Sequence, residues 1–282
     1  MTEQCTSLSL PEPPTDWATA AFQRVVYGYY RENGRSFPWR DTTDPYHILV
    51  SEVMLQQTQT SRVREKYPPF VTLFPDLSSL ARAPLSALLQ AWLGLGYNRR
   101  ALALHRTAQI VETSFHGELP SSPHTLATLP GIGRTTASAI AAFAFGLPTV
   151  FIETNIRTVF LHLFFPDRCE VTDREILPLV ERTLDRENPR EWYYALLDYG
   201  AMLKREGNPG KKSAHYRTQA PFPGSNREVR SLILKAVLQH PPVSEDELVR
   251  ATGQGPARVR ETLRQLQREG FLAIADDGIT IR

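Results

Sequence analysis

Residues 126–140, with the sequence LATLPGIGRTTASAI, decide the fold of this protein. The pattern predicts that one helix ends, that a tight turn follows with glycines at 131 and 133, and that a second helix begins at Arg134. A glycine lets the backbone adopt a positive φ or approach a ligand closely. The first N–H groups of the second helix then point outward, where the helix dipole favours an anion.

Such an arrangement is a helix–hairpin–helix, which grips a DNA phosphate without reading the base sequence. The alternative is an ordinary turn between two helices, which the length of the string L-P-G-I-G-R-T-T-A disfavours. The hairpin and the first helical turn would approach the phosphate. We therefore predict DNA contacts from Gly131, Ile132, Gly133, Arg134 and Thr136.

The composition is that of a globular protein, with 282 residues, 41% hydrophobic and 22% charged. This length suggests two domains. The net charge of +2 requires any DNA-binding surface to be local.

No apolar run approaches the roughly 20 residues that span a bilayer. The polar residues 1–16 predict a flexible tail without a secretory signal. Two cysteines, Cys5 and Cys169, are too few for a disulfide framework or a four-cysteine metal site, so we expect a cytoplasmic protein.

Helical periodicity with proline and glycine punctuation predicts an all-α region from about Trp17 to Gly207. The polar, basic segment 204–226 predicts a linker or an extended surface strap, and we assign the linker to residues 216–226. Residues 227–282 read as three helices and a hairpin, the order of a winged helix-turn-helix (α+β) domain. Ser244 with Glu247 predicts a capping box, and Asp277-Gly278 predicts the hairpin turn. The alternative is a generic helical cap.

The third helix of this C-terminal module carries arginines at i, i+4 and i+8, namely Arg260, Arg264 and Arg268. In a recognition helix these side chains would meet phosphates or base edges. A solvated helix face explains the same spacing, and docking to a protein stays open. We predict DNA contacts from Arg260 and Arg264.

Three ordered blocks carry a resemblance to a known family. They are FPWRDTTDPYHILVSEVMLQQTQTSRV (37–63), GLGYNRRALALHRTA (94–108) and LPGIGRTTASAIAAFAFG (129–146). Together they resemble the helix–hairpin–helix (HhH-GPD) DNA glycosylases of base-excision repair, and the MutY adenine glycosylases more than endonuclease III. The resemblance covers about residues 20–200.

This resemblance implies a two-lobed all-α fold with DNA between the lobes. A helical-barrel lobe would span about residues 46–155, and a second lobe would combine residues 17–45 and 156–215. The implied partner is double-stranded DNA with a lesion or mismatch, bound by a monomer in the bacterial nucleoid.

Two carboxylates would divide the chemistry after the target nucleotide is flipped from the duplex. Glu52 lies in an apolar helix, ILVSEVML, where desolvation would raise its pKa and keep it protonated. The resemblance gives Glu52 the role of protonating the departing base, and the alternative is a buried carboxylate bonded to a neighbouring helix.

Glu153, in FIETNIRTVF (151–160), stands where the family has the aspartate of Asp-Gly-Asn-Val. That aspartate stabilises the sugar cation and positions the water. The longer side chain would shift the charge by roughly an ångström, and a displacement of that size can cost about 100-fold in rate. The alternative is a helix cap, although Thr154 and Asn155 are good caps themselves.

The resemblance also assigns supporting positions. A base pocket would be lined by Trp39, Arg40, Thr135 and Asn155, and the gap in the duplex would be filled and probed by Gln56, Gln57, Thr58 and Tyr97. For Trp39 and Tyr97 an ordinary core role explains the residue equally well.

Three departures from the family pattern limit what can be carried over. Thr135 replaces the lysine with which endonuclease III-like enzymes form a Schiff base, so we expect a monofunctional glycosylase. The stretch KREGNPGKKSAHYRTQAP (204–221) contains no cysteine, so ligands for the family's iron–sulfur cluster are absent and no metal site is assigned. Lysines and arginines there, Lys211 and Lys212 among them, would supply the DNA contact, and a monovalent cation at the hairpin stays possible. We expect a winged helix in place of the family's domain that reads 8-oxoguanine, so specificity for adenine opposite 8-oxoguanine is not carried over.

Three functions remain: a monofunctional DNA glycosylase, a non-catalytic DNA-damage or DNA-structure binding protein that keeps the helix–hairpin–helix grip, and a glycosylase with weak lyase activity through another amine, for which the sequence names no candidate. A degenerate binder has no reason to retain two pocket acids. The presence of both Glu52 and Glu153 therefore favours the enzyme.

Overall fold

The computed structural model describes residues 15–219 and 221–282. This part of the chain is mostly helical, with a small two-stranded sheet near the C-terminus. The predicted all-α fold with a small α+β C-terminal module is therefore confirmed. Most of the predicted flexible tail lies outside the described residues, and Asp16 already begins the first helix.

The helices follow one another in chain order with short connections. They are α1 (Asp16–Asn33), α2 (Pro45–Leu55), α3 (Thr60–Leu73), α4 (Leu77–Arg82), α5 (Leu85–Trp92), α6 (Arg99–Ser114), α7 (Pro123–Leu126), α8 (Arg134–Phe145), α9 (Thr154–Phe164), α10 (Asp173–Thr183), α11 (Pro189–Glu206), α12 (Asn226–Gln239), α13 (Glu245–Thr252) and α14 (Pro256–Glu269). The strands are β1 (Leu272–Ala275) and β2 (Gly278–Ile281). Among the described residues, no helix has the length and apolar character needed to cross a bilayer.

The chain divides into two compact units. Among the described residues, the first unit comprises those up to Ile48, Ser121–Ala127 and Ile132–Thr218, and the second comprises Leu49–Pro120, Thr128–Gly131 and those from Gln219 to Arg282. The predicted lobes stay a prediction, and residues 46–155 of the predicted barrel lobe fall partly in each of these units. Helix α8 packs against α11 and so belongs to the first unit, and α12 packs against α5 and so places the C-terminal module in the second.

The core of the first unit forms around α9 and α11. Phe22 of α1 packs its ring against Phe160 and Trp192, with centroids 5.4 and 5.5 Å apart. Gly200 of α11 lies so close to α9 that a Cβ there would come within 2.1 Å of the Asn155 carbonyl oxygen. Only glycine therefore permits this approach of the two helices.

A buried carboxylate on α11 gathers two arginines within this unit. Asp198 accepts hydrogen bonds from the Arg35 backbone N–H and Nε, both at 2.7 Å, and from both terminal nitrogens of Arg40 at 2.9 Å. The Asp198 side chain is 1% exposed and that of Arg40 is 7% exposed. Burial alone would raise the pKa of Asp198, but its bonds with Arg40 and Arg35 hold the pKa below 3.8.

We expect Asp198→Ala to lower the free energy of unfolding by about 3–5 kcal/mol, because it leaves Arg40 buried without its counter-charge. Urea denaturation measures this loss, and Asp167→Ala on the surface serves as the control. A lowered carboxyl pKa contributes stability above its unfolded value that is lost as the pH falls through the folded value. The difference between wild type and variant should therefore shrink below pH 3.8. A cost under about 1 kcal/mol at neutral pH would contradict this role.

The core of the second unit is built by α3 to α6. Phe70 and Trp92 are buried with ring centroids 5.9 Å apart. Helix α6 supports the turn that precedes α8, since Thr107 donates to the Pro130 carbonyl at 3.0 Å. Gly131 also lies close to this helix, because a Cβ there would come within 2.7 Å of the Ala103 Cβ.

The C-terminal module, residues 226–282, forms the predicted three helices and hairpin. The capping box of Ser244 and Glu247 at α13 is confirmed. Strands β1 and β2 are antiparallel, with Leu272 opposite Ile281. The hairpin turn lies at Asp276 and Asp277, one residue earlier than predicted. Gly278 opens β2 with φ +130°, where a side chain would be strained.

The basic segment before the predicted linker is ordered. Helix α11 extends to Glu206, and Pro209–Lys212 forms a 3-10 turn. Val171 and Ser213 then form a parallel bridge, in which the Val171 N–H donates to the Lys212 carbonyl at 3.2 Å. This segment is therefore a strap bound to the first unit, as far as residue 214.

Candidate active site and DNA-contacting surface

The predicted helix–hairpin–helix is present as α7, a tight turn and α8. Gly131 has φ +75° and is exposed, as the turn requires. Gly133 instead has φ −79° and is the N-cap of α8, so its flexibility is not needed for the turn itself. This N-cap provides no side-chain acceptor, and Arg134 and Thr135 in the first turn are exposed. The start of α8 thus offers backbone N–H groups to an anion.

Side chains of the second unit hold the carbonyls of this turn. Gln56 donates from Nε2 to the Gly131 carbonyl at 3.2 Å, and Thr107 donates to that of Pro130. Ile132, predicted to contact DNA, is buried. Two of the carbonyls that could face a monovalent cation therefore already accept protein donors, although each keeps a second lone pair. The cation stays a prediction.

Glu153 is the N-cap of α9. Its Oε1 accepts the N–H of Asn155 at 2.6 Å and that of Ile156 at 2.9 Å. Its Oε2 lies 3.4 Å from the side-chain nitrogen of Asn155. The helix-cap alternative is therefore confirmed, and one oxygen of the carboxylate accepts both hydrogen bonds of the cap.

The same carboxylate sits in a poorly hydrated position. Burial raises the pKa of Glu153, against the lowering effect of the two N–H groups and of Arg157 and Lys204. The residue nevertheless keeps partial access to solvent. A carboxylate that is bound by a helix N-terminus and desolvated yet reachable can stabilise a nearby developing cation. Capping and catalysis are thus compatible in one residue.

The Glu153→Gln variant separates these two roles, because the amide oxygen of glutamine can still accept both backbone N–H groups while the charge is lost. We expect folding to be retained and base release to fall by about 100-fold or more. Glu153→Ala, which loses the cap as well, should in addition cost about 1 kcal/mol of stability. Single-turnover kinetics and urea denaturation measure the two effects, and a Gln variant with near-normal rate would leave only the cap role.

The pH dependence of stability supplies a second readout. A carboxyl whose folded pKa is raised above 4.5 contributes stability that is present below 4.5 and lost as the pH rises through the folded value. Glu153→Gln lacks this loss. The free energy of unfolding should therefore shift in favour of the variant as the pH is raised from about 4 towards about 8, and no change in the difference would contradict a buried charge.

Glu52 lies in the middle of α2, between Ser51 and Val53, which are both buried. Glu52 itself is partly accessible. The predicted apolar helix is therefore present, and the carboxyl can be reached from one side. Its protonated state and its role as the proton donor stay predictions.

Arg100 organises the segment that follows α2. Its terminal nitrogens donate to backbone carbonyls at the end of α2 and in the turn before α6, and to one hydroxyl. The acceptors are the carbonyls of Val53, Met54, Gln56, Leu95 and Gly96 and the Thr58 hydroxyl, at 2.7–3.2 Å. Burial lowers the pKa of Arg100 to about 10, so it stays charged at neutral pH.

These bonds fix two strained residues in the predicted DNA-probing set. Gln57 has φ +53° and Tyr97 has φ +48°, both in the left-handed region that side chains disfavour by about 1 kcal/mol or more. Each lies next to a residue whose carbonyl Arg100 binds. The Arg100 guanidinium also lies 5.6 Å from the Tyr97 ring centroid. The Arg100 guanidinium therefore fixes the backbone conformation of both Gln56–Gln57–Thr58 and the turn at Tyr97.

We expect Arg100→Lys to destabilise the protein by about 3 kcal/mol, because a lysine cannot fork between two groups of carbonyls. Hydrogen exchange should increase at residues 56–58 and 95–97 more than elsewhere in the second unit. The exposed Arg64→Lys provides the matched control. Uniform exchange across the unit would show that Arg100 does not act on these two turns in particular.

The predicted base-pocket residues of the first unit have mixed placements. Trp39 is buried and stacks on Phe37, with a centroid distance of 4.9 Å and an angle of 2°. Arg40 is held by Asp198. These contacts favour structural roles for both residues. Thr135 lines a cavity of about 160 Å³ whose wall also includes Ile152, the residue before Glu153.

The predicted basic contacts also differ from one another. Lys211 is exposed, whereas Lys212 donates to the Pro166 carbonyl. Arg260 is bound by Glu245, with Nη2 at 2.7 Å, and Arg264 is exposed. Lys211 and Arg264 thus present accessible charge, while the other two already have protein partners.

Sequence reasoning missed the residues that position these groups, namely Arg100, Asp198 and Gly200. Asp198 and Gly200 lie in the motif LLDYGAML (196–203), and Arg100 lies in GLGYNRRALALHRTA. For Asp198 and Gly200, the available signal was a charged or small residue inside an apolar stretch of helix. Most of their partners lie far away in the chain, as Thr58 does from Arg100 and Arg40 from Asp198, so periodicity could not identify them.

Potential metal ligands are dispersed through the described part of the chain. Within ranges 15–219 and 221–282, no group of three or more histidine, cysteine, aspartate or glutamate side chains is placed to hold a metal ion. The stretch 204–221 contains no cysteine and does not suit an iron–sulfur cluster. For the protein as a whole, the absence of an iron–sulfur cluster stays a prediction.

The helix–hairpin–helix and the Glu153 carboxylate at the following helix both lie in the part of the chain that matches a known superfamily. Residues 50–182 match the HhH-GPD superfamily of base excision DNA repair proteins. A structure of a thermostable thymine-DNA glycosylase shares the fold, with a TM-score of 0.58 and 24% identity over 65% of this chain and 86% of that one.

Sequence relatives define the family. An adenine DNA glycosylase of Mycobacterium tuberculosis (strain CDC 1551 / Oshkosh) is 30% identical over 95% of this chain and 96% of its own length. An adenine DNA glycosylase of Buchnera aphidicola subsp. Baizongia pistaciae is 34% identical over 68% of this chain, which spans only 55% of that relative. The chain belongs to the adenine DNA glycosylase family within the HhH-GPD superfamily.

Proposed function

We propose that this protein is a monofunctional DNA glycosylase that flips a mispaired or damaged base from duplex DNA and hydrolyses its N-glycosidic bond. The observation that carries the proposal is the Glu153 carboxylate, which is desolvated, partly accessible and fixed by two backbone N–H groups. Adenine is the first base to test, because the relatives named above are adenine DNA glycosylases. The protein would act as a monomer in the cytoplasm, on nucleoid DNA.

Each step is assigned to residues of this chain. The α8 N-terminus at Gly133–Arg134 binds a phosphate, and Tyr97 and Gln57 enter the space that the flipped nucleotide leaves. Glu52 gives a proton to the departing base, and the bond to the sugar breaks with its electrons leaving on the base. Glu153 stabilises the resulting sugar cation, and water then adds to it and loses a proton.

The residue at position 135 bears on whether lysine-based strand cleavage can accompany base release. A threonine hydroxyl cannot form the imine through which a lysine would cleave the strand. The product is therefore an intact strand with an abasic site. The competing function, DNA binding without chemistry, uses the same α8 terminus, but it gives Glu52 no task and leaves Glu153 only its role as the cap of α9.

A substrate panel tests this proposal. Purified protein is incubated with duplexes carrying adenine opposite 8-oxoguanine, adenine opposite guanine, uracil, and alkylated or oxidised bases, and abasic sites are then revealed with alkali. We expect cleavage of at least one duplex only after alkali. Tight binding to an abasic analogue with no base release from any duplex would establish the non-catalytic alternative.

We expect Glu52→Gln to abolish base release, by roughly 1,000-fold or more, while the Kd for the duplex changes by no more than about threefold. The reason is that glutamine keeps the shape of the side chain but has no acidic proton to give. Glu65→Gln on the surface of α3 is the control and should behave as wild type. A fully active Glu52→Gln variant would show that another group is the acid.

A further inference from the structure

The C-terminal module is fixed to the start of α6. The Glu269 carboxylate at the end of α14 accepts hydrogen bonds from Arg99 of α6 and from Arg230 of α12, the latter at 2.5 and 3.1 Å. Arg106 of α6 donates to the Glu269 carbonyl at 3.2 Å. Burial opposes ionisation of Glu269, but the two paired arginines hold its pKa below 4.5. Three helices therefore meet at one carboxylate, and Arg99 follows closely after Tyr97 in the chain.

This docking places Arg227, at the start of α12, over the Tyr97 turn. The Arg227 Nη1 donates to the Tyr97 hydroxyl at 3.0 Å, and its guanidinium lies 5.4 Å from the ring centroid. Gln219 also donates to this hydroxyl. Tyr97 is thus held by Arg100 of α6 and by Arg227 of the module, in a left-handed conformation that it would otherwise leave readily.

The cations of the module differ in their surroundings, and Arg264 and Arg268 on its third helix are exposed. Arg260, the first residue of the predicted basic stripe, is bound by Glu245 through three hydrogen bonds of 2.7–3.3 Å. Arg230 is bound by Glu269. The cation that the module brings to a predicted DNA-probing residue is Arg227, on the first helix and not on the third.

We propose that Arg227 is a positioning residue through which the C-terminal module holds Tyr97 in the orientation needed to open the DNA stack. This inference rests on the proposed function, because it assigns Tyr97 to the space beside the flipped nucleotide. The module then acts on base release through Tyr97.

The test measures stack opening and base release separately. The duplex carries 2-aminopurine next to the mismatched position, and the rise in its fluorescence on binding reports unstacking without any need for chemistry. We expect Arg227→Ala to reduce this rise to the level of Tyr97→Ala, and to slow single-turnover base release about tenfold. Arg250→Ala, which removes the same charge from an exposed site on α13, should match wild type in both measurements.

Combining the two changes distinguishes positioning from direct DNA binding. In the Tyr97→Ala background, Arg227→Ala should alter neither measurement further, because its effect passes through the tyrosine. An additive loss, with the salt slope of binding reduced by about one, would instead identify Arg227 as a phosphate contact and overturn the proposal. A wild-type fluorescence response in Arg227→Ala, or no response in wild type, would overturn it as well.

The proposed function can fail independently. A protein that unstacks 2-aminopurine in an Arg227-dependent way but releases no base would contradict the glycosylase and leave the positioning role of Arg227 intact. Arg227→Lys, which keeps a cation and a donor, should give a fluorescence response above that of Arg227→Ala. Equal responses of the two variants would show that the cation over Tyr97 is not what matters.

Discussion

The absence of a side chain at Gly200 is the constraint on which the candidate catalytic carboxylate depends. Because no Cβ intervenes, α11 lies against the backbone of Asn155, whose N–H is one of the two that bind Glu153. Two residues earlier on α11, Asp198 draws in Arg35 and Arg40. One helix thus fixes both the N-terminus of α9 and the segment containing Trp39. A shift of α11 would move the carboxylate and release a buried ion pair together, so the site is as rigid as the packing of that helix.

In the second unit the charged group that organises its neighbours is the Arg100 cation, whereas in the first unit it is the Asp198 anion. Arg100 is bound chiefly by backbone carbonyls. The positions of these carbonyls are fixed once α2 and the turn before α6 have formed. Such bonds are sensitive to direction, so they specify the conformations of Gln57 and Tyr97 and not merely their proximity. Strain of this kind persists only where the surroundings enforce it. Arg227 adds a second constraint on the same tyrosine, from an element far along the chain.

The sequence predicted the local features and missed the distant pairings. The start of α8 at Arg134, the positive φ of Gly131 and the capping box at Ser244 all follow from rules that involve neighbours within a few residues. The family motif assigns Arg40 to a base pocket, and its burial against Asp198, 158 residues away, has no signature in periodicity. The spacing on α14 assigns Arg260 to DNA, and its pairing with Glu245 depends on how α13 and α14 pack. Charge pairs between residues far apart in the chain are therefore the features that a single sequence does not predict.

The extra methylene of Glu153 has a structural consequence that the sequence alone could not provide. An aspartate at an N-cap reaches the N–H groups of the second and third helical residues directly. Glu153 reaches the same two groups, at 2.6 and 2.9 Å, so its longer side chain must curl back toward the helix it caps. Because the side chain bends back, the extra methylene displaces the carboxylate from the helix terminus by less than the length of a methylene. The charge stays anchored to the α9 N-terminus, and the loss of about 100-fold expected for a displacement of an ångström is an upper limit for this substitution. Because Oε1 makes both cap bonds, Oε2 is the oxygen that keeps capacity for a sugar cation or a water, and its reach is what Glu153→Asp would change.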